Sequence, residues 1–478
     1  MNADSIELLS LIGENKAVFK IPVYQRNYEW KEKHIRQLFS DLEKIVENDF
    51  KTKHFLGTIV FVTRKKRRLS VERILIDGQQ RVTTTIIILK AIYDCIKADS
   101  SKSDILADEI LETYLENKHV NEESKYKLKP VKTDESSYYD LMNNQKSDSN
   151  IYKNYVIVKN LIDTSKHSIE DIFEALMNVH IVYIDLDDGE NPQIIFESLN
   201  STGLSLTQAD LIRNFILMGL DYDKQTRYYE KYWVKIEELL TNKIISNFVR
   251  DYLTMRENNV TKKNRVYEQF KYFYRTNDYY AENILAELLQ YANFYDKIIN
   301  ESTEIANVNN QLSGINTMKS TVTYPYILEV FNDYYEKKLL NESEFSTVLK
   351  LVFSYIFRRY ICNVPTNSLN KVFSRIGKET RKKRSEGTSY IRAVEEYLLN
   401  RTGNAKFPRD IDFKNSFFAT DIYKRNKNIA KMTLYRIEEK SHKELVEDIE
   451  LTIEHIMPQT LTPDWNIELG SKALDIHS

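Results

Sequence analysis

The stretch Arg73-Ile74-Leu75-Ile76-Asp77-Gly78-Gln79-Gln80-Arg81-Val82-Thr83-Thr84-Thr85 does most to limit what this chain can fold into. Arg73 to Ile76 is a short β-branched run of the kind that forms a buried strand. Asp77-Gly78 breaks it, because glycine tolerates the backbone angles of a sharp turn. Three threonines follow, then Ile86-Ile87-Ile88-Leu89, Ala91-Ile92 and Ile96, an apolar run long enough for a packed helix. One of Thr83 to Thr85 is expected as its N-cap. The unit therefore reads as strand, tight polar turn, helix N-terminus. Such a turn aims free N–H groups and the positive end of a helix dipole at one spot, which favours anions. Gln79 and Gln80 add amide donors, and Arg81 adds a planar fork suited to phosphate oxygens. Chemistry alone leaves two readings open, a nucleotide phosphate cradle and an ordinary turn with a solvated arginine.

At 478 residues the chain exceeds one compact core, so two or three domains are expected. A hydrophobic content of 42% with 29% charged residues is that of a globular chain and excludes a disordered one. The formal net charge of −2 means that any nucleic-acid contact must come from local basic patches. Cys95 and Cys362 stand far apart in apolar settings, against a disulfide framework or a Cys-type zinc site. With no signal peptide and no apolar run of about 18 residues, the expected location is the cytoplasm, without a membrane partner. Low glycine and proline counts (11 and 8) favour a mostly helical protein.

Along the chain, a first helix is expected over Ile6 to Ile12 and an extended segment over Phe19 to Arg26. A helix starts at Asn27 or Glu29, with Trp30, Ile35, Leu38, Phe39, Leu42 and Ile45 near helical spacing. Phe55 to Val62 reads as a strand. The basic run Arg64-Lys65-Lys66-Arg67-Arg68 reads as the hairpin loop to the central strand and as a candidate contact to DNA phosphates. Residues 101–180 look helical, interrupted at Lys127-Leu128-Lys129-Pro130. Ile181 to Leu186 is a third strand, followed by a short helix from Pro192 to Leu199, a polar loop Asn200 to Ser205, and a helix from Gln208 to Leu217. From about 220 to 440 the pattern is helical. Arg358-Arg359 and Arg381-Lys382-Lys383-Arg384 are candidate phosphate contacts within it, and Leu451 to Gln459 is strand-like.

Three polar clusters fall at element ends: Tyr24-Gln25-Arg26, Asp77 to Arg81, and Asn200 to Asn214. Converging on one pocket, they would supply arginines for charge, amides for orientation and carboxylates for a magnesium ion, a set that fits phosphoryl-group chemistry. There is no Walker A sequence and no Gly-x-Gly-x-x-Gly. Glu454-His455 offers a carboxylate beside a general base, although the pair alone does not make a nuclease.

Taken together, these stretches resemble the GmrSD-type family of modification-dependent (type IV) restriction proteins. The resemblance is carried by Ile21-Pro22-x-Tyr24-Gln25-Arg26-x-Tyr28-x-Trp30, His54 to Ile59, Ile76 to Arg81, Phe196 to Gly203 with Leu206, Ala209 to Asn214, Arg358 to Cys362 with Asn367 to Lys371, and Glu454 to Gln459. It implies an α+β protein, with a ParB/sulfiredoxin-like small mixed sheet and helices at the N-terminus, then a largely α-helical region. The implied domains are 1–218, with a helical insertion at about 98–178, then 219–445, then the opening of an HNH nuclease at 446–478. It also implies nucleoside triphosphate hydrolysis (GTP, ATP, CTP or UTP) with Mg2+ or another divalent metal. The double-stranded DNA it senses would be modified, for example by glucosylated hydroxymethylcytosine or phosphorothioate.

Asp77, Gln80, Arg81 and His455 are the catalytic candidates. Tyr24, Gln25, Arg26, Gly78, Gln79, Gln80, Arg81, Thr83, Asn200, Thr202 and Arg213 are the nucleotide-binding candidates. Glu454 and Glu197 are the carboxylates offered to a metal. Arg64, Lys65, Lys66, Arg67, Arg68, Arg358, Arg359, Lys382 and Lys383 are the candidates for DNA contact. The family's nuclease motif continues with an Asn-containing segment and a further His or Asn, whereas this sequence ends at Ser478. Cleavage through that site is therefore expected to be weak or absent. A rival reading is a nucleotide-gated DNA-binding switch without nuclease activity. Self-association into a homo-oligomer stays open.

Overall fold

The computed structural model describes residues 1–66, 70–99, 103, 105–118, 124–187, 190, 192–199, 206–441, 453, 457–458 and 460–473. The chain forms two compact units, Met1–Arg250 with Thr261–Ala292, and Asp251–Val260 with Asn293–Ser478.

The first unit is built on six strands: β1 (Asn2–Glu7), β2 (Ala17–Lys20), β3 (His54–Lys66), β4 (Ser70–Asp77), β5 (Leu128–Lys129) and β6 (Val179–Leu186). Their order is β1-β6-β3-β4-β2-β5. β3 and β4 pair antiparallel with Val62 opposite Ile74, while β6 runs parallel to β3 and β2 parallel to β4. This is the α+β class expected from the sequence, a small mixed sheet at the N-terminus followed by helices.

The core of the first unit is built around α3 (Gln79–Ala98). Val82 to Ile88 is seven β-branched residues in a row, a poor helix former on its own because such side chains lose rotamer freedom in a helix. Burial overrides that propensity. Val82, Ile86, Ile87, Ile88 and Leu89 are all at most 1% exposed, and each buried aliphatic side chain contributes about 1.5–3 kcal/mol. A helix apolar around most of its circumference belongs in a core. By contrast, α2 (Glu32–Glu47) buries a single stripe: Ile35, Leu38, Phe39, Leu42 and Ile45.

Several boundaries differ from the sequence expectations. Ile6 lies in β1, opposite Ile181, so the first helix, α1, is only Leu8–Ile12. β3 runs on through Arg64, Lys65 and Lys66, opposite Glu72, Val71 and Ser70. Most of the basic run is thus strand and not loop, because ladder bonds come from the backbone and tolerate an outward arginine. Arg67 and Arg68 lie outside the described residues. β5 falls in the stretch read as a helix interruption. α2 starts at Glu32 rather than Asn27 or Glu29, because other side chains already hold the backbone of residues 27–30, as shown below. Among its described residues the second unit contains helices and no strand. Of the strand expected over Leu451 to Gln459, only 453, 457 and 458 are described.

Candidate functional site

β4 ends at Asp77, and Gly78 turns the chain into α3 with φ +98°. A Cβ at Gly78 would meet Ile59 Cγ1 at 3.0 Å and Ile59 Cα at 3.2 Å, so both the turn and the approach of β3 require glycine. Val82 N–H closes the first helical turn on the Gly78 carbonyl at 3.0 Å. Gly78 is therefore the N-cap, and the expected threonine cap is corrected. Thr83, Thr84 and Thr85 are buried inside the helix, where Thr84 Oγ1 pairs with Tyr28 Oη at 2.7 Å and Thr85 donates to the Arg81 carbonyl at 2.9 Å. Thr83 is only 2% exposed. No side chain caps this helix end. The N–H groups of Gln79, Gln80 and Arg81 point along the positive end of the dipole with no acceptor among the described residues.

Arg81 turns inward. Its Nη1 donates to the Thr58 carbonyl at 2.7 Å, and Asp77 lies 3.6 Å from it. Its guanidinium rests on Gly57, where β3 carries a bulge with φ +114°. A Cβ there would meet Arg81 Cζ at 3.1 Å and Nε and Nη2 at 3.2 Å. The sequence reading missed Gly57, although an isolated glycine inside a strand pattern signals a bulge or a close approach.

The segment from Ile21 to Lys31 folds against this corner. Gln25 Nε2 donates to the Ile76 carbonyl at 2.8 Å. Gln80 Oε1 accepts from the N–H groups of Glu29 (2.8 Å) and Trp30 (3.2 Å), and its Nε2 donates to the Asn27 carbonyl at 2.9 Å. Asn154 donates to Tyr28 Oη at 3.1 Å and to the Trp30 carbonyl at 2.8 Å. These bonds are the reason α2 cannot begin earlier. Arg26 pairs with Glu29 at 3.1 Å, while its buried Nε has no partner among the described residues. The helix Gln208–Met218 supplies Arg213, whose Nε donates to the Tyr24 carbonyl at 2.9 Å. Its other nitrogens reach Asp210 at 2.9 Å and Glu237 at 2.6 Å. The phenol of Tyr24 is buried, and that burial pushes its pKa up.

Tyr24, Gln25, Arg26, Asp77 to Arg81 and Arg213 are thus brought together. Their parts differ from the expectation in two cases. Gln80 is a latch that holds the 27–30 backbone through both ends of its amide, and Arg213 is paired with two carboxylates. Gln79 is buried in the first turn of α3. Asn200 and Thr202 lie outside the described residues.

The order of these elements along the chain has a counterpart among known proteins. The model of the GmrSD restriction endonuclease N-terminal domain matches residues 7–217, and that of the C-terminal domain matches residues 407–476. The chain belongs to the GmrSD restriction endonuclease family. No curated protein matches it. Membership in the GmrSD family makes DNA the substrate class and a type IV restriction endonuclease the role. No helix among the described residues is long and apolar enough to cross a membrane.

Within this GmrSD chain, the remaining candidates sort by exposure. Arg64 is exposed on β3. Arg358 pairs with Asp410 at 2.6 Å and stacks on Phe413, and Arg359, at 2% exposure, donates to the carbonyls of Lys406, Pro365 and Asn404. Arg359 is thus an internal tie, whereas Arg358 stays partly exposed at its ion pair. Lys383 is paired with Glu396, whereas Lys382 is exposed. Glu197 accepts from Lys271 at 2.8 Å, from Tyr267 and from Gln193. Burial opposes its ionisation, but those three donors outweigh it and hold the carboxyl below the usual range. Among the described residues no cluster of three His, Cys, Asp or Glu side chains is placed to hold a metal. Glu454 and His455 lie outside them.

Proposed function

We propose that this chain is a nucleotide-gated, modification-dependent restriction protein. The first unit binds a nucleoside triphosphate where β4 turns into α3, and nucleotide turnover couples sensing of modified DNA to cleavage by an HNH module that opens at Glu454-His455. The observation that carries this reading is the uncapped start of α3, with three N–H groups lacking acceptors beside Arg81 and the unpartnered Nε of Arg26. Main-chain donors at a helix N-terminus and fixed guanidinium groups are the chemistry that holds phosphate oxygens. Asp77 is loosely paired and partly exposed. It is the carboxylate that would hold a divalent ion, whose remaining ligands come from phosphate and water. Such an ion neutralises charge that develops on the transferred phosphoryl group.

In this reading Arg81 orients the phosphates, while Gln25 and Gln80 keep the 24–30 segment in place over them. Nucleotide at about 100 times its dissociation constant should raise stability by roughly 2.7 kcal/mol. Arg81→Ala should abolish turnover. The loss of its bond to the Thr58 carbonyl should cost only about 1 kcal/mol of stability. A folded Arg81→Ala protein with unchanged turnover would remove the cradle from consideration. His455→Ala tests the nuclease half separately, by the loss of DNA nicking.

A further inference from the structure

The second unit contains a cleft of about 700 Å3 between the helices Ala306–Thr317 and Lys427–Ser441. That size lies within the range of functional ligand sites. The lining is mixed: Met432 and the Tyr435 ring give it an apolar part, and polar side chains supply the rest. Asn310, Ser313, Gly314 and Thr317 line one wall at helical spacing. Asn428, Lys431, Tyr435 and Arg436 line the other with the same period. Three cations, Lys319, Lys431 and Arg436, line the cleft with one carboxylate, Glu301, and a second, Glu439, accepts from the lining Asn310 at 3.0 Å.

The floor is built and the rim is free. Arg436 lies over the ring of Phe353 at 3.9 Å and donates to the Asn310 carbonyl. Gly314 makes room for this arrangement, since a Cβ there would meet Phe353 Cε2 at 2.5 Å and Arg436 Nη2 at 2.7 Å. Glu301 is engaged by Asn316 at 3.1 Å. Lys319 and Lys431 are exposed and have no ion-pair partner among the described residues. One wall falls inside the segment matched to the GmrSD C-terminal domain, and the other lies outside it.

The geometry points to a DNA-backbone site in this cleft: Lys319 and Lys431 neutralise phosphates, while the hydroxyl and amide groups of Ser313, Thr317 and Asn428 contact phosphate and sugar oxygens. Such contacts position a duplex without reading its sequence. The site rests on DNA being the substrate and is independent of the nucleotide corner. It places the helical region that precedes the nuclease segment within the DNA-holding surface.

The test uses the full chain and a short fluorescein-labelled duplex, with affinity followed by anisotropy across a salt series. Lys319→Glu with Lys431→Glu should weaken binding at least about tenfold and make the slope of log affinity against log salt shallower by about two. Lys371→Glu with Lys378→Glu, at two exposed lysines on the helix Leu369–Ser385, controls for net charge. A double variant that binds no worse than this control would overturn the site and leave the nucleotide reading intact. A wild-type chain that binds no duplex would overturn the site and leave the nucleotide corner standing. Nucleotide-dependent stabilisation of the wild type, measured in parallel, tells failure of the cleft from failure of the gating scheme.

Discussion

The guanidinium of Arg81 is seated on the α-carbon of Gly57, within 3.1–3.2 Å of where a side chain would begin. The bulge in β3 thus does for Arg81 what a rigid pocket wall would do, fixing the plane of its fork above the Thr58 carbonyl. Gly57→Ala should both displace the fork and force a non-glycine residue to φ +114°. Backbone strain of this kind costs of order 1–3 kcal/mol. The expected outcome is a lowered melting temperature together with loss of nucleotide-dependent stabilisation beyond what the melting shift explains. An alanine variant that is stabilised by nucleotide as well as the wild type would show that Gly57 does not set the position of Arg81.

Gln80 makes a different prediction from the one its place beside Arg81 suggests. Its amide holds Asn27, Glu29 and Trp30, so Gln80→Leu should act first on the fold. Unmet buried donors and acceptors cost about 1–3 kcal/mol each. Amide exchange at Glu29 and Trp30 should accelerate, with nucleotide binding falling as a consequence. Normal exchange at those two amides together with lost turnover would instead give Gln80 a direct part in the chemistry.

The strand–turn–helix around Gly78 is legible from sequence because a β-branched run, an Asp-Gly break and a long apolar helix agree with one another. The cap is not, since a threonine preference is local while the cap is decided by how closely β3 packs on Gly78. Charge runs mislead for a related reason. Arg359 lies four residues after Tyr355 and seven after Val352, on the stripe that helix Glu342–Ile361 buries. That spacing was a signal for an internal arginine that the basic composition of Arg358-Arg359 obscured. The convergence of Tyr24, Arg213 and Asp77 depends on contacts across 189 residues or fewer of chain, which no local pattern reports.

Lys127 sets a pH dependence. Its Nζ donates to the Glu14 carbonyl at 2.7 Å, in a setting where burial lowers its pKa from 10.5 to about 8. The folded chain therefore holds fewer protons than the unfolded one between those values, so stability rises with pH across that window. Below about 8 the cost of the buried charge is fully present. It amounts to roughly 3 kcal/mol at most, by the conversion of pKa shifts into free energy. Denaturant midpoints measured from pH 7 to pH 10 should climb less steeply in Lys127→Met than in the wild type. Parallel curves for the two proteins would mean that Lys127 does not titrate in this range.

Arg359 ties the helix Glu342–Ile361 to the chain that enters the segment matched to the GmrSD C-terminal domain. Its nitrogens reach the carbonyls of Lys406 at 2.9 Å, Asn404 at 2.7 Å and Pro365 at 2.6 Å, and Tyr355 Oη donates to the Ala405 carbonyl at 2.8 Å. A lysine cannot reproduce this fork, because its ammonium is a single point on a flexible stem. Arg359→Lys should therefore destabilise the second unit by roughly 2–4 kcal/mol through carbonyls left without donors. The slope of DNA affinity against salt should stay unchanged in this variant, since a side chain with 2% exposure neutralises no phosphate. A shallower salt slope without a fall in melting temperature would return Arg359 to the DNA-contacting set and deny it the tie described here.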